Sequence, residues 1–169
     1  MLETEKELKK FRDYVIKESR TNLTKLKKNS SKKLYNSLKG EYKLMANSFS
    51  LYFSMEDYGQ FQDKGVNGKR SVYTTAYKFG TKMPPPSKLD KWIVRKGIAP
   101  KDKQGRFISR KSLQFLIARS IYRNGIKPSL FFTKPFEAAF KRLPSELVAK
   151  YGLDAIKLFN QTIEQPKKK

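Results

Sequence analysis

The chain has 169 residues and carries 38 Lys and Arg against 15 Asp and Glu, a net charge of +23. That length sets one or at most two domains, and 12 Phe and nine Tyr are too many for a disordered basic tail. The absence of His and Cys excludes His general bases, Cys nucleophiles, Ser-His-Asp triads, zinc held by imidazole or thiolate, and disulfides, so an enzyme built from this alphabet would have to work with carboxylates, Lys, Tyr or a metal on oxygen ligands, and no cofactor is expected.

In chain order, Glu5 to about Lys28 is predicted as a long helix. Leu8, Phe11, Val15, Leu23 and Leu26 recur mostly at three- and four-residue steps, and Glu3, Glu5 and Glu7 suit the positive end of its dipole. Such a rod is roughly 35 Å long, long for a domain of this size. Asn29-Ser30-Ser31 offers a break and a new N-cap, and a second helix then carries Leu34 and Leu38 and stops at Gly40. From Glu41 to Met55, Tyr42 and Leu44, then Phe49, Leu51 and Phe53, alternate with polar neighbours around Asn47-Ser48, which predicts an antiparallel hairpin. Two strands are marginal alone, so a third is expected from 72–79 or from Leu130 to Thr133.

Glu56 to Lys64 reads as a short helix ending at Gly65, and Val66 to Arg70 as a loop. After the extended Met83-Pro84-Pro85-Pro86, a helix opens at Pro86 or Ser87, bears Leu89, Trp92 and Ile93 on one face, and stops at Gly97. Ser109 caps an amphipathic helix with Leu113, Leu116, Ile117 and Ile121 inward, ending at Asn124-Gly125. A last helical region runs from about Pro135 to Ile163, interrupted near Pro144 and Gly152, before a lysine-rich tail at 166–169. The expected class is α+β: a long N-terminal helix, a small antiparallel sheet, a helical insert and C-terminal helices. Residues 1–165 are expected as one domain, with a basic helical insert at about 84–125.

Charge concentrates in the middle. From Lys64 to Lys134, 18 Lys or Arg stand against two acids, Asp90 and Asp102. Lys88, Lys91 and Arg95 share the helix side opposite Leu89 and Trp92, Arg119 and Arg123 stack at i, i+4, and Arg106 and Arg110 lie between. Ordinary solvated faces mix signs, so these seven are the candidate contacts to phosphates or to an acidic partner. No zinc finger, basic zipper or RRM signature points to base-specific reading.

Other motifs carry less. Gly65 to Arg70 lacks the spacing of a phosphate loop and the Ser or Thr after its Lys, and reads as a flexible basic loop. Glu41-x-Lys43 matches the Glu-x-Lys of metal-dependent nucleases but needs a further acid from a neighbouring element. Glu56, Asp57 and Asp63 could make an acidic cluster for a cation, but at helical spacing next to Lys64 they read more commonly as a surface face or a subunit contact. Tyr73, Tyr77, Phe79, Phe131 and Phe132 are stacking platforms for single strands or, more commonly, core or subunit packing, and Phe131-Phe132-x-x-Pro135-Phe136 in particular reads as a buried strand end leading into a helix. No stretch approaches the ~18 apolar residues of a membrane span, and Met1 to Lys10 alternates acids and lysines, unlike a secretory signal. A reducing cytosol, or a particle assembled there, is the expected setting.

Several segments, in order, resemble the tail-completion or head–tail joining (neck) proteins of tailed bacteriophages. They are Tyr58-Gly59-Gln60-Phe61-Gln62-Asp63-Lys64-Gly65-Val66, Phe79-Gly80-Thr81 with Met83-Pro84-Pro85-Pro86, Gly105-Arg106-Phe107-Ile108-Ser109, and Lys127-Pro128 through Thr133-Lys134-Pro135-Phe136. The resemblance covers about Leu34 to Phe140, and the insert Ser87 to Asn124 looks like that of neck proteins from short-tailed phages. It implies a virion structural protein without an active site, in a homo-oligomeric ring, hexameric or dodecameric, at the head–tail connector. DNA passes through the lumen, and portal, adaptor and tail proteins are the neighbours. Assembly is in the host cytoplasm, with no membrane and with non-specific contact to genomic DNA. Tyr58, Phe61, Phe79, Met83, Phe131 and Phe132 are the candidate subunit contacts. The alternative reading is a sequence-independent nucleic-acid-binding protein.

Overall fold

The fold is α+β, opening on a long helix. In this computed structural model, which describes residues 2–45, 48–143 and 145, the order is α1 (Leu2–Lys25), α2 (Lys33–Ser37), β1 (Lys39–Leu44), β2 (Phe49–Ser54), α3 (Gly59–Lys64), α4 (Asp90–Lys96), α5 (Arg110–Asn124) and α6 (Thr133–Phe140), with a 3-10 turn at Pro86–Leu89 before α4. The chain divides into two compact units. A discontinuous unit combines residues up to Asp57 with those from Leu130 on, and an inserted unit spans Tyr58–Ser129.

In the discontinuous unit α1 buries Leu8, Phe11, Val15, Ser19 and Leu23, a stripe at three- and four-residue steps that keeps one face inward. At 24 residues α1 is a rod of about 36 Å. Leu26, expected inside, is 47% exposed: the helix ends at Lys25 and the backbone turns away at Lys27, φ 53°. The second helix starts on Lys32 in left-handed backbone rather than on a serine cap, and it ends at Ser37. Gly40 therefore does not stop it but sits in β1, where a Cβ would come 2.7 Å from Arg12 Cγ and 2.9 Å from the Phe53 ring.

β1 and β2 pair antiparallel, with Tyr42 opposite Leu51 and Leu44 opposite Phe49. Leu51 and Phe53 point inward and Tyr52 outward, as alternation requires. The expected third strand is not found among the described residues. Residues 130–133 lead into α6 instead, and the sheet's inner face is covered by α1 and by rings. Phe53 meets Phe132 edge-on at 5.3 Å, Phe11 meets Phe136 edge-on at 5.3 Å, and Phe132 lies 6.1 Å from Phe136, within the range that aromatic pairs favour. Phe131 and Phe132, expected as subunit contacts, are thus core residues with 0% exposure and leave no surface for a neighbour. Pro144, Gly152, the helix expected beyond residue 145, the tail at 166–169 and Asn47 of the expected turn lie outside the described residues.

The inserted unit is closed at its own ends. Val66 and Ile126 exchange two backbone hydrogen bonds of 2.8 Å, and Ser129 N–H donates to the Gln62 and Asp63 carbonyls. That closure puts its boundaries well outside the expected 84–125. Residues 72–79 form no strand; Asn67 gathers them, donating from its side chain to Thr75 O and accepting from Tyr73 N–H, while its backbone bonds Tyr77 and Phe79. α4 follows Pro86 and stops at Gly97, φ 61°. The Ser109 hydroxyl caps α5, accepting from Ser112 N–H at 3.2 Å. Leu113 and Ala118 are buried on α5 and Ile117 and Ile121 half-buried beside them, but Leu116 is 48% exposed rather than inward, about 100° from Ile117 around the helix. Among the described residues no helix is long and apolar enough to cross a membrane.

Candidate functional site

Within the inserted unit, 17 Lys and Arg stand against three acids, a net charge of +14. Each acid is already engaged. Asp63 is buried. Asp90 accepts from Gln114 Nε2 at 2.7 Å and lies 3.8 Å from Arg110. Asp102 accepts from the backbone N–H groups of Arg106 and Gln104, each at 2.9 Å, and from Arg106 Nε at 3.0 Å. The Arg106 N–H above all, helped by the Arg106 side chain and the Gln104 N–H against a smaller effect of burial, holds Asp102 below the usual carboxylate range. Of the seven basic candidates, Arg106 and Arg110 therefore reach the surface beside a carboxylate. Lys88, Lys91, Arg95 and Arg119 are exposed and Arg123 is half-buried, and among the described residues none of these five pairs with an acid.

The discontinuous unit uses its arginines differently. Arg20 donates to Tyr35 O at 3.1 Å and Leu38 O at 3.0 Å and stacks over the Tyr35 ring. Arg12 pairs with Asp13 at 2.7 Å and covers Tyr42, and Arg142 lies 4.4 Å from the Tyr14 ring centre. These guanidinium groups tie α1 to its surroundings. A groove of about 810 Å³ runs along α1 past Arg12, Lys17, Arg20, Lys39 and Glu41, but its two arginines are occupied in this way. Glu41 and Lys43 are exposed on the same side of β1, and among the described residues no group of three or more carboxylates gathers to hold a metal.

Aromatic candidates divide too. Tyr58 and Phe61 are exposed, and Phe61 packs edge-on against Tyr77 at 4.8 Å. Phe79 is half-buried beside Tyr122, at 6.1 Å, and Met83 is half-buried. Sequence reasoning missed Val94, Phe107 and Phe115, which are 55%, 70% and 49% exposed, together with the outward turn of Leu116. It also missed Lys69 and Arg70: the loop that carries them is bonded to the end of α5 rather than free, through Lys69 N–H to Tyr122 O and Arg70 N–H to Arg123 O. The pair of glycines at 68 and 125 was the signal for it. No family model, curated protein or solved structure matches this chain.

Proposed function

We propose that the chain is a structural subunit of the tailed-bacteriophage neck, one that joins copies of itself into a ring and turns its inserted unit toward DNA. The observation that carries this is an imbalance within that unit. Its buried apolar side chains are Val66, Ile93, Leu113 and Ala118, while Val94, Phe107, Phe115, Leu116, Tyr58 and Phe61 stand exposed beside a surplus of cations. Exposed apolar groups on this scale suit a surface that neighbouring subunits cover, and a closed ring adds the charge of each copy into one strong field. The ordered motifs from Tyr58 to Phe136 support the same assignment, as does an alphabet without His or Cys.

Mass photometry and negative-stain microscopy of the purified chain, alone and with a portal protein, test the proposal. The expected result is a closed ring at a six- or twelvefold multiple of the chain mass. A monomer in both preparations overturns it. The alternative, a sequence-independent nucleic-acid-binding protein acting alone, is favoured by the unneutralised arginines of α5, and predicts salt-sensitive duplex binding by a monomer.

A further inference from the structure

The loop after α3 is drawn onto the last turn of α5. Lys69 N–H donates to Tyr122 O at 3.1 Å and Arg70 N–H to Arg123 O at 2.8 Å, satisfying carbonyls that a helix end leaves open. Glycine stands on both sides of this approach. A Cβ on Gly68 would lie 2.6 Å from the Asn124 carbonyl carbon and closer still to Arg123 O and Gly125 N; one on Gly125, φ 72°, would lie 2.6 Å from Gly68 N and closer to Val66 O. The backbone thus sets Lys69 and Arg70 beside Arg119 and Arg123.

The four cations gather without a counter-charge. Lys69 Nζ stands 5.5 Å from the Tyr122 ring centre. Repulsion from Arg119, with burial and then Arg70, pushes the Arg123 guanidinium below its ordinary pKa. Among the described residues none of the four pairs with a carboxylate, and Asp90 and Asp102 are engaged with Arg110 and Arg106. The α5 C-terminus contributes only about half a negative charge, fading within its last turn. Backbone bonds and glycine contacts hold like charges together here, which is the arrangement of a site completed by an anion from outside.

The geometry points to a phosphodiester site: Lys69, Arg70, Arg119 and Arg123 seat backbone phosphates of a nucleic acid and leave its bases unread. Planar guanidinium forks match phosphate oxygens bidentately, and Lys69 adds a point charge. This deepens the proposed function and rests on it for the identity of the nucleic acid as DNA.

Fluorescence anisotropy of a short labelled duplex over a salt series tests the site, with the oligomer read by mass photometry in the same samples. Two double variants remove equal charge: Arg70→Gln with Arg123→Gln inside the cluster, and Arg106→Gln with Arg110→Gln beside their carboxylates. A slope of about −0.9 in log K per phosphate contact makes each contact worth roughly eightfold at 0.1 M salt. The first pair is expected to weaken binding about 60-fold and to flatten the salt slope by about two, and the second to change affinity by less than about fivefold. Equal weakening by both pairs, or no duplex binding by the unaltered chain, overturns the site. Added inorganic phosphate at matched ionic strength leaves duplex binding intact if the polymer backbone is the ligand; displacement assigns the cluster to free phosphate and overturns the nucleic-acid assignment. Ring formation is scored independently, so a monomer that still discriminates the two variants sinks the neck proposal and spares the site.

Discussion

Gly68→Ala tests whether the inserted unit is built around the close approach of its two ends. The new methyl carbon would meet backbone atoms only, the Asn124 carbonyl carbon at 2.6 Å with Arg123 O and Gly125 N nearer, so no side chain can swing aside to admit it. Restoring ordinary contact requires the loop to move off α5 by roughly 1 Å. Two hydrogen bonds span that gap, Lys69 N–H to Tyr122 O at 3.1 Å and Arg70 N–H to Arg123 O at 2.8 Å. At about 1 kcal/mol net for each, with some loss at the neighbouring Val66–Ile126 pair, the cost is about 2–3 kcal/mol. Relief of repulsion between Arg70 and Arg123 offsets little, because exposed charges are screened. For a unit of this size the melting temperature should fall by about 10–20 °C, and hydrogen exchange should show the Lys69 and Arg70 amides losing protection. A shift under about 2 °C with both amides still protected refutes the reasoning.

Three further outcomes follow from other parts of the molecule. Phe136→Ala removes a ring with 0% exposure that packs against Phe11, Phe53 and Phe132, and should cost about 3–5 kcal/mol in urea unfolding; a loss below about 1 kcal/mol is incompatible with this core. Ser19→Ala should leave stability unchanged or raise it by about 1 kcal/mol, since the Ser19 hydroxyl is buried without a hydrogen-bond partner among the described residues; clear destabilisation in the same assay contradicts that. Asp102 has a folded pKa held below its unfolded value, chiefly by the Arg106 N–H. Its contribution is therefore complete above the ordinary carboxylate range and lost as pH falls through the depressed value. NMR titration should show the Gln104 and Arg106 amides shifting together only in acid, and Asp102→Asn should abolish that transition.

Where one local rule decides the structure, the residues announce it. The apolar stripe of α1, the alternation of Tyr42, Leu44, Leu51 and Phe53, the Ser109 cap and the stop at Gly97 all appear where periodicity and capping put them. The misreadings occur where tertiary contacts choose between equal local options. Leu116 and Ile117 are adjacent and both apolar, and only the position of the partner surface decides which turns in. Phe131 and Phe132 could face a neighbour or the chain's own core, and the apolar inner face of the sheet claims them. Gly40 resembles a helix stop in sequence, but its role comes from Arg12 and Phe53, 28 and 13 residues away. The basic candidates were legible as a group from charge alone. Which of them are neutralised was not, because that depends on where Asp90 and Asp102 fold.

The two units stabilise themselves by different means, and that difference bears on function. The discontinuous unit buries Phe11, Phe53, Phe131, Phe132 and Phe136 with the aliphatic stripe of α1, and it sets Arg20 on two carbonyls and Arg12, Arg20 and Arg142 over tyrosine rings. The inserted unit buries few large side chains and relies on backbone bonds between Val66 and Ile126, around Asn67, and at the end of α5. Backbone hydrogen bonds are directional, whereas apolar burial is not, so a unit held this way fixes the backbone from which its charged side chains project without burying them. A small core also leaves little margin of stability, and apolar surface then remains for a neighbour to cover. Under the proposed function, the features that weaken the inserted unit as an isolated fold are the ones a ring of copies around a polyanion would use.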